Sequence, residues 1–245
     1  MPRILLTNDD GIGAPGLTAL ESAFSSAAEV YVAAPSSEQS ATSRAITLRQ
    51  PLRFHEQGPR RWAVDGTPAD TVMMAVSRIL DFRPEIVVSG INYGPNLGEN
   101  IFYSGTVAAA AEAAKYGIPA IAVSVDARSG VDFAMPARFA VKLVRRILHD
   151  GLPRGVALNV NIPYPGHRGV AITRQSQKIS RNLMVESRDP RGRAYYWMQE
   201  DEPLDDAEPG SDNAAVRDGM ISVTPLRFDP TAFDLIAPLA VLGKL

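Results

Sequence analysis

Two adjacent aspartates, Asp9 and Asp10, follow a short apolar run at residues 4–6. Neighbouring carboxylates repel each other unless a positive charge neutralises them, and a divalent cation with oxygen ligands can do this at the end of a buried strand. Taken alone, the pair is explained more simply by a turn in which one aspartate caps the next helix and the other faces solvent, because aspartate is common in turns. The aspartate pair therefore indicates a metal site only in combination with the residues around it.

Three further polar stretches are predicted to lie at the same edge of one sheet. They are a serine-rich loop containing Ser40, a turn containing Asn92, and residues 104–106 (Ser-Gly-Thr) at the start of a helix. Ligands of open parallel sheets bind outside the carboxyl ends of the strands, and a helix N-terminus offers unpaired N–H groups to an anion. Each stretch alone fits an ordinary loop or cap. Together with the aspartates they form an all-oxygen donor set, which suits Mg²⁺, Mn²⁺ or Ca²⁺ and could hold a phosphate.

The elements that would position these residues alternate between strand and helix. Short apolar runs predict buried parallel strands at residues 4–6, 30–34, 85–89, 120–125 and 157–162. Apolar residues at helical spacing and cap signals predict helices at 15–24, 67–80, 107–116 and 133–148. The alternation predicts an α/β fold, with a doubly wound catalytic core over residues 1–165. The helical period is then lost, so residues 166–245 are predicted to be a β-rich extension that completes the same domain.

Composition excludes several kinds of chemistry. The chain of 245 residues has no cysteine, which excludes thiol catalysis, Fe–S clusters and disulfides. No two of its three histidines (His55, His149 and His167) share a helical turn, so an H-E-x-x-H zinc site is excluded and a histidine nucleophile is poorly supported. The net charge of −2 gives no basic excess for a nucleic-acid polymer or an anionic membrane. With no stretch near the ~20 apolar residues of a membrane span, the expected location is the cytoplasm.

The polar motifs, taken in order, resemble those of the SurE (stationary-phase survival protein) family. Five blocks occur in the family's order: TNDDGI at 7–12, AP at 34–35 with SAT at 40–42, GTPAD at 66–70, SGINYGPN at 89–96 and YSGTVAAA at 103–110. The tail matches more loosely, through LNVNIP at 158–163 and VTPL at 223–226. One departure is the approach to Ser40, where residues 36–39 are less charged than the family pattern.

The resemblance implies a divalent-metal-dependent phosphatase that hydrolyses nucleoside 5′-monophosphates, with 3′-nucleotides or short polyphosphate as substrates of some members. By motif, one divalent cation per subunit (Mg²⁺, Mn²⁺ or Ca²⁺) would have four ligands: Asp9, Asp10, Ser40 and Asn92. The phosphate and substrate pocket would be formed by Asn8, Asn96, Ser104, Gly105 and Thr106. The implied fold is a Rossmann-like three-layer core with a mostly parallel sheet, whose C-terminal arm makes homodimers or homotetramers.

The implied mechanism assigns a part to each group. The cation would polarise a phosphoryl oxygen and lower the pKa of a water, Asp9 or Asp10 would accept that water's proton, and the amides of residues 104–106 would stabilise the transition state. Two other functions stay open, a nucleotide-binding sensor without turnover and a polyphosphatase on the same core. Both carboxylates together favour an enzyme, because a binding module does not need two adjacent acids. The aromatic cluster at 195–197 (Tyr-Tyr-Trp) is expected to pack against a partner subunit rather than stack on a base.

Overall fold

A computed structural model describes residues 1–127, 130–177, 182–200 and 208–244 of the chain. In chain order its strands are β1 (Arg3–Thr7), β2 (Glu29–Pro35), β3 (Phe54–Gly58), β4 (Arg61–Val64), β5 (Ile86–Tyr93), β6 (Ala120–Asp126), β7 (Val156–Pro163), β8 (Val170–Ile172), β9 (Asn182–Arg188), β10 (Ala194–Glu200) and β11 (Ile221–Arg227). Its α-helices are α1 (Pro15–Phe24), α2 (Pro68–Met74), α3 (Gly105–Lys115), α4 (Ala134–Asp150), α5 (Asp212–Arg217) and α6 (Phe233–Leu239). A π-helical turn at Ala75–Ile79 extends α2, and 3₁₀ turns cover Gly98–Phe102 and Ala240–Lys244.

Nine strands of the described residues form one mixed sheet, in the order β3-β4-β2-β1-β5-β6-β7-β11-β8. Its central strands, from β2 through β1, β5 and β6 to β7, run parallel and carry runs of buried aliphatic residues, the pattern of a sheet covered on both faces. Strand β1 pairs with β2 on one side and with β5 on the other, so the order of the strands reverses there. The carboxyl ends of β1 and β5 therefore form the topological switch point, where open α/β sheets bind ligands.

Helices cover both faces of this sheet. Helices α1 and α4 pack together on one face, over a core that includes Leu17, Phe24 and Val144. Helices α2 and α3 pack on the other face, and the alanine-rich α3 buries every residue before its last, Lys115. Small side chains allow this close approach of helix and sheet, and the result is three layers.

The chain after residue 165 both joins the sheet and projects from it. Strand β11 pairs antiparallel with β7, and β8 pairs parallel with β11. Strands β9 and β10 form a separate antiparallel pair, called here the hairpin (residues 182–200). Helix α6 buries none of its described residues. The predicted boundary at residue 165 stays a prediction.

The predicted α/β class, with a mostly parallel sheet between two helical layers, is confirmed. The helix predicted from Thr67 begins with a capping box: the Asp70 N–H donates to the Thr67 hydroxyl at 3.1 Å, and the Thr67 N–H donates to the Asp70 carboxylate at 3.0 Å. Within the described ranges, no helix has the length and apolar character needed to cross a membrane.

Candidate active site

A cavity of about 850 Å³ opens at the carboxyl ends of β1 and β5. Its lining includes six of the nine residues predicted to act: Asp9, Asp10, Ser40, Asn92, Asn96 and Ser104. These side chains come from the ends of two strands, two loops and the start of a helix. The fold thus brings them together at the switch point of the sheet, as the motif positions predict.

Asp9 lies at the inner wall of the cavity and is only 5% exposed. Its carboxylate accepts a hydrogen bond from the Thr106 hydroxyl, and its backbone carbonyl accepts the N–H of Gln39 at 2.8 Å. Gly105 packs so closely that a Cβ there would lie 2.7 Å from the Asp9 Cβ and 2.9 Å from a carboxylate oxygen. Because only glycine leaves this room, the start of α3 fixes the position of the Asp9 carboxylate.

The electrostatic environment of the two aspartates disfavours their ionised forms. Burial raises the pKa of Asp9, although hydrogen bonds from Thr106 and the backbone oppose the rise. Burial, and then the charges of Asp9 and Glu38, raise the pKa of Asp10 to about 6. No basic side chain of the described residues contributes to either shift. The negative charges of Asp9 and Asp10, with Glu38 nearby, favour a cation close to the aspartate pair.

Ser40 and Asn92 supply the remaining oxygen donors. The exposed Ser40 hydroxyl donates to the Glu38 carboxylate at 2.7 Å. The Asn92 side-chain nitrogen donates to the Gly94 carbonyl at 2.8 Å, which leaves its Oδ1 as an available acceptor. No group of three or more His, Cys, Asp or Glu side chains in the described part of the chain is arranged to hold a metal. A cation here would therefore need hydroxyl and amide oxygens beside the aspartate pair, and the donor set fits a hard cation.

Asn96 is held at the cavity wall by side chains of β7. Its backbone N–H donates to Asn161 Oδ1 at 2.7 Å, and its carbonyl accepts from Asn159 Nδ2 at 2.8 Å and from Asn161 Nδ2 at 3.1 Å. Its own Nδ2 donates to the Ser124 hydroxyl at 2.8 Å. All four residues are buried. These four bonds fix both the backbone and the side chain of Asn96, while Asn159 Oδ1 is buried without a hydrogen-bond partner among the described residues.

Three residues that line this cavity or hold its wall are not among those predicted from the sequence: Glu38, Asn159 and Asn161. The sequence does contain a signal for Asn159 and Asn161. The two asparagines are two residues apart in an otherwise apolar strand, so they share one face of the sheet. Glu38 stands two residues before Ser40, in the loop that follows β2. An acidic residue so close in sequence to a proposed metal ligand is also a signal that it lies near the site.

Three predicted pocket residues lie behind the cavity wall. Gly105 and Thr106 are buried at the start of α3 and contact Asp9. Asn8 is fully buried, and its amide donates to the Gly11 carbonyl at 2.9 Å and accepts the Gly11 N–H at 3.2 Å. None of the three is among the described residues that line the cavity. In this structure they support the turn and the carboxylate that do line it.

The three histidines lie elsewhere. His55 and His149 each contact an exposed aspartate, at 3.0 Å and 2.6 Å, and the His167 ring packs edge-on against Phe139. None is among the cavity's lining residues in the described ranges.

Aromatic and sulfur side chains form the outer rim of the cavity. Tyr93 and Tyr103 line it and are 52% and 57% exposed, and Met198 reaches it from the hairpin. A second cavity of about 510 Å³ shares Tyr93, Asp10 and Glu38 with the first. The combined space and apolar rim suit a substrate larger than phosphate alone.

Comparisons with known proteins agree on one family. The family described as Survival protein SurE matches residues 4–182. The chain is 50% identical over 230 residues to the 5′-nucleotidase SurE of Anaeromyxobacter sp. (strain Fw109-5), with 93% of this chain and 90% of that protein covered. It is 48% identical over 242 residues to the 5′-nucleotidase SurE of Geotalea daltonii, with 97% of each covered. Among solved structures, the SurE protein from Aquifex aeolicus matches with a TM-score of 0.89 and 39% identity, covering 99% of this chain and 100% of that one.

Proposed function

This chain belongs to the Survival protein SurE family, and we propose that it is a divalent-metal-dependent 5′-nucleotidase, which hydrolyses nucleoside 5′-monophosphates to nucleoside and phosphate. The observation that carries the proposal is the pair Asp9 and Asp10, which lies near Glu38 with raised pKa values and no basic counter-charge among the described residues. A protein that only bound nucleotides would need a phosphate pocket but not two adjacent acids.

The residues that would hold one cation per subunit are Asp9, Asp10, Ser40 and Asn92, which line one cavity. The fit rests on the donors, since two carboxylates, a hydroxyl and an amide oxygen are all hard ligands. When bound, a divalent cation supplies positive charge at the phosphoryl group and lowers the pKa of a water. We infer Mg²⁺, Mn²⁺ or Ca²⁺ as the metal.

Asp10 is the carboxylate that we assign to proton transfer. Asp9 is engaged by the Thr106 hydroxyl, whereas Asp10 accepts no hydrogen bond from the described residues and is partly exposed. A partly exposed carboxylate without a fixed donor can approach an attacking water and accept its proton. Asp9 then keeps its position while Asp10 changes its protonation state.

The phosphate group would lie at the N-terminus of α3. The dipole of a helix favours an anion at its N-terminus, although here the Thr106 N–H is already directed to the Asp9 carboxylate. Ser104 lines the cavity and accepts the Val107 N–H at 3.1 Å, which leaves its own hydroxyl hydrogen to donate to a phosphate oxygen. Asn96, fixed by β7, is the second polar side chain that we assign to phosphate binding.

We propose that the hairpin and α6 assemble the chain into a homodimer or homotetramer. Both carry large apolar side chains that are exposed in the single chain: Met184, Tyr195, Tyr196, Trp197, Phe233, Ile236 and Leu239. Such exposure is typical of an interaction surface. The absence of cysteine fits a reducing compartment, and the cytoplasm is the location that we propose.

The test is a panel of substrates and metals. Phosphate release from AMP, GMP, an aryl phosphate and short polyphosphate would be measured with EDTA, Mg²⁺, Mn²⁺ or Ca²⁺. The proposal expects metal-dependent release from the nucleotides. Phosphate release from polyphosphate alone would indicate that the protein is a polyphosphatase and not a nucleotidase. Absence of metal-dependent release from every substrate would refute the enzyme and leave a nucleotide-binding role.

A further inference from the structure

Asp212, in the first turn of α5, is a fully buried carboxylate that the proposed mechanism does not use. One of its oxygens accepts the N–H of Gly98 at 3.0 Å. The other accepts the N–H of Ser176 at 2.9 Å and that of Asn213 at 2.7 Å. Two of these three donors lie outside α5, so the carboxylate bridges separate segments of the chain. Hydrogen bonds to an ionised acceptor are stronger than those between neutral groups.

Gly98 belongs to a segment of the candidate active site, called here the site loop (residues 96–104). The Gly98 carbonyl accepts Gln175 Nε2 at 2.9 Å, so both backbone groups of Gly98 are held by the chain after residue 165. The loop begins at Asn96, which β7 holds, and ends at Ser104, which caps α3. Asp212 and Gln175 thus fix the loop between Asn96 and Ser104, the two ends that line the cavity.

The same carboxylate joins the segments on either side of the hairpin in the sequence, because Ser176 precedes the hairpin and Asp212 follows it. The Asp212 N–H donates to the Arg174 carbonyl at 2.9 Å, and the Arg174 N–H donates to the Gly210 carbonyl at 3.1 Å. Arg174 also forms an ion pair with Glu208. Asp212 therefore lies where the site loop meets the segment of Arg174 and Ser176.

We propose that Asp212 is a positioning residue for phosphate binding, which fixes the site loop against the described segments that flank the hairpin in the sequence, so that Asn96 and Ser104 serve one phosphate. The inference rests on the proposed function, since the site loop acts on the reaction through the phosphate pocket. Loss of the carboxylate leaves the buried N–H groups of Gly98 and Ser176 unpaired, which is unfavourable and frees the loop. In the described structure Asp212 forms no hydrogen bond with a proposed metal ligand, so cation binding is unaffected.

Two substitutions of Asp212 and one matched control separate this role from general weakening of α5. Asp212→Ala removes both acceptor oxygens. Asp212→Asn keeps the size of the side chain but replaces one acceptor oxygen by an amide nitrogen that cannot accept. The control is Ser211→Ala: Ser211 caps the same helix by accepting the Ala214 N–H at 3.2 Å, so its loss weakens α5 while the Asp212 bonds to the site loop persist.

Three measurements on the full-length protein test the proposal: amide hydrogen exchange across residues 98–102 by mass spectrometry, Mg²⁺ affinity by calorimetry, and the affinity of the Mg²⁺-loaded protein for inorganic phosphate. For Asp212→Ala we expect exchange about tenfold faster than in wild type, from the lost hydrogen bonds. We expect phosphate binding to weaken about tenfold or more, from misplaced donors. Mg²⁺ affinity should stay within about twofold in every variant, since the ligands are untouched. Asp212→Asn should show smaller changes in the same direction, and Ser211→Ala should match wild type.

Exchange and phosphate affinity in Asp212→Ala that match those of Ser211→Ala would overturn the proposal. A parallel loss of Mg²⁺ affinity would also overturn it, because it would indicate general distortion of the site. If Asp212→Ala fails to fold, Asp212→Asn decides the question in the same assays. Turnover of AMP by the wild type tests the proposed function. The exchange comparison tests the role of Asp212 independently, because it can be made even if the protein releases no phosphate.

Discussion

Replacing Asp10 by asparagine should stabilise the protein when no metal is bound. The pKa of Asp10 is raised from 3.8 to about 6 by burial and by the charges of Asp9 and Glu38. About two pKa units correspond to about 3 kcal/mol of unfavourable interaction in the ionised form. Because Asp10 is partly exposed, solvent screening reduces this to about 1–2 kcal/mol. In a chain of this size, that gain should raise the Tm by about 2–8 °C.

The pH dependence of the effect has a defined sign. Since its folded-state pKa is raised, Asp10 binds its proton more tightly in the folded protein than in the unfolded chain. Its unfavourable contribution is therefore fully present above about pH 6 and disappears as the pH falls below about 4. The Tm difference between Asp10→Asn and wild type should accordingly be largest near pH 7.5 and vanish near pH 4.

Thermal unfolding in EDTA across this pH range measures the Tm difference. In the presence of Mn²⁺ the wild type should instead have the higher Tm. Mn²⁺ at 100 times its Kd should stabilise the wild type by about 2.7 kcal/mol. The variant lacks the Asp10 carboxylate and should not gain this stabilisation. Asp229→Asn is the control, because the pKa of Asp229 is lowered by hydrogen bonds from Thr231 and its removal should not stabilise the protein. A variant Asp10→Asn that melts below wild type in EDTA at pH 7.5 would refute the reasoning about the uncompensated acids.

Four further outcomes are expected. Gly105→Ala should weaken Mn²⁺ binding by about tenfold or more in calorimetry, because the new Cβ would lie 2.7 Å from the Asp9 Cβ and a displaced ligand loses affinity for the metal. The matched control is Gly166→Ala, whose new Cβ would have no atom within 4 Å. Equal Mn²⁺ affinities of the two variants would contradict the role of Gly105. Asp9→Asn should abolish phosphate release with little change in circular dichroism, since the amide oxygen still accepts from Thr106; retained turnover or gross unfolding would count against the metal site. Thr106→Val removes a hydrogen bond that lowers the pKa of Asp9, so the acid limb of the pH–rate profile should move to higher pH, and a superimposable profile would argue against this contact. Deleting residues 185–200 should lower the mass of the assembly in light scattering, and an unchanged mass would exclude the hairpin as the contact.

The placement of the aspartate pair could be predicted because it depends on local sequence and on a general rule of topology. The run at residues 4–6 marks a buried strand, and the acids follow directly. In parallel sheets the strand ends collect at one edge, so Asn92 and residues 104–106 could be assigned to the same edge. Periodicity and chain order were sufficient for this part of the site.

The supporting contacts could not be predicted in the same way, because they join residues far apart in sequence. Asn161 holds Asn96 across 65 positions, and Asp212 holds Gly98 across 114. In the sequence, Asp212 has only the pattern of an acid in the first turn of a helix. Which backbone group it meets depends on the packing of the extension against the core, and this packing has no local signature.

Motif membership also fails to separate residues that line a cavity from residues that support its wall. Asn8 and Thr106 belong to the same blocks as their cavity-lining neighbours. In the structure the amide of Asn8 shapes a turn, and the hydroxyl of Thr106 is directed to a carboxylate. A shift of one residue moves a side chain from one side of a backbone to the other, and this orientation is fixed by three-dimensional packing.

Met198 forms part of the cavity rim and belongs to a strand that pairs with β9, outside the nine-stranded sheet. Methionine has an unbranched and polarizable side chain that adapts its shape to its neighbours. The hairpin thus contributes an adaptable side chain to the mouth of the cavity, beside the rigid rings of Tyr93 and Tyr103.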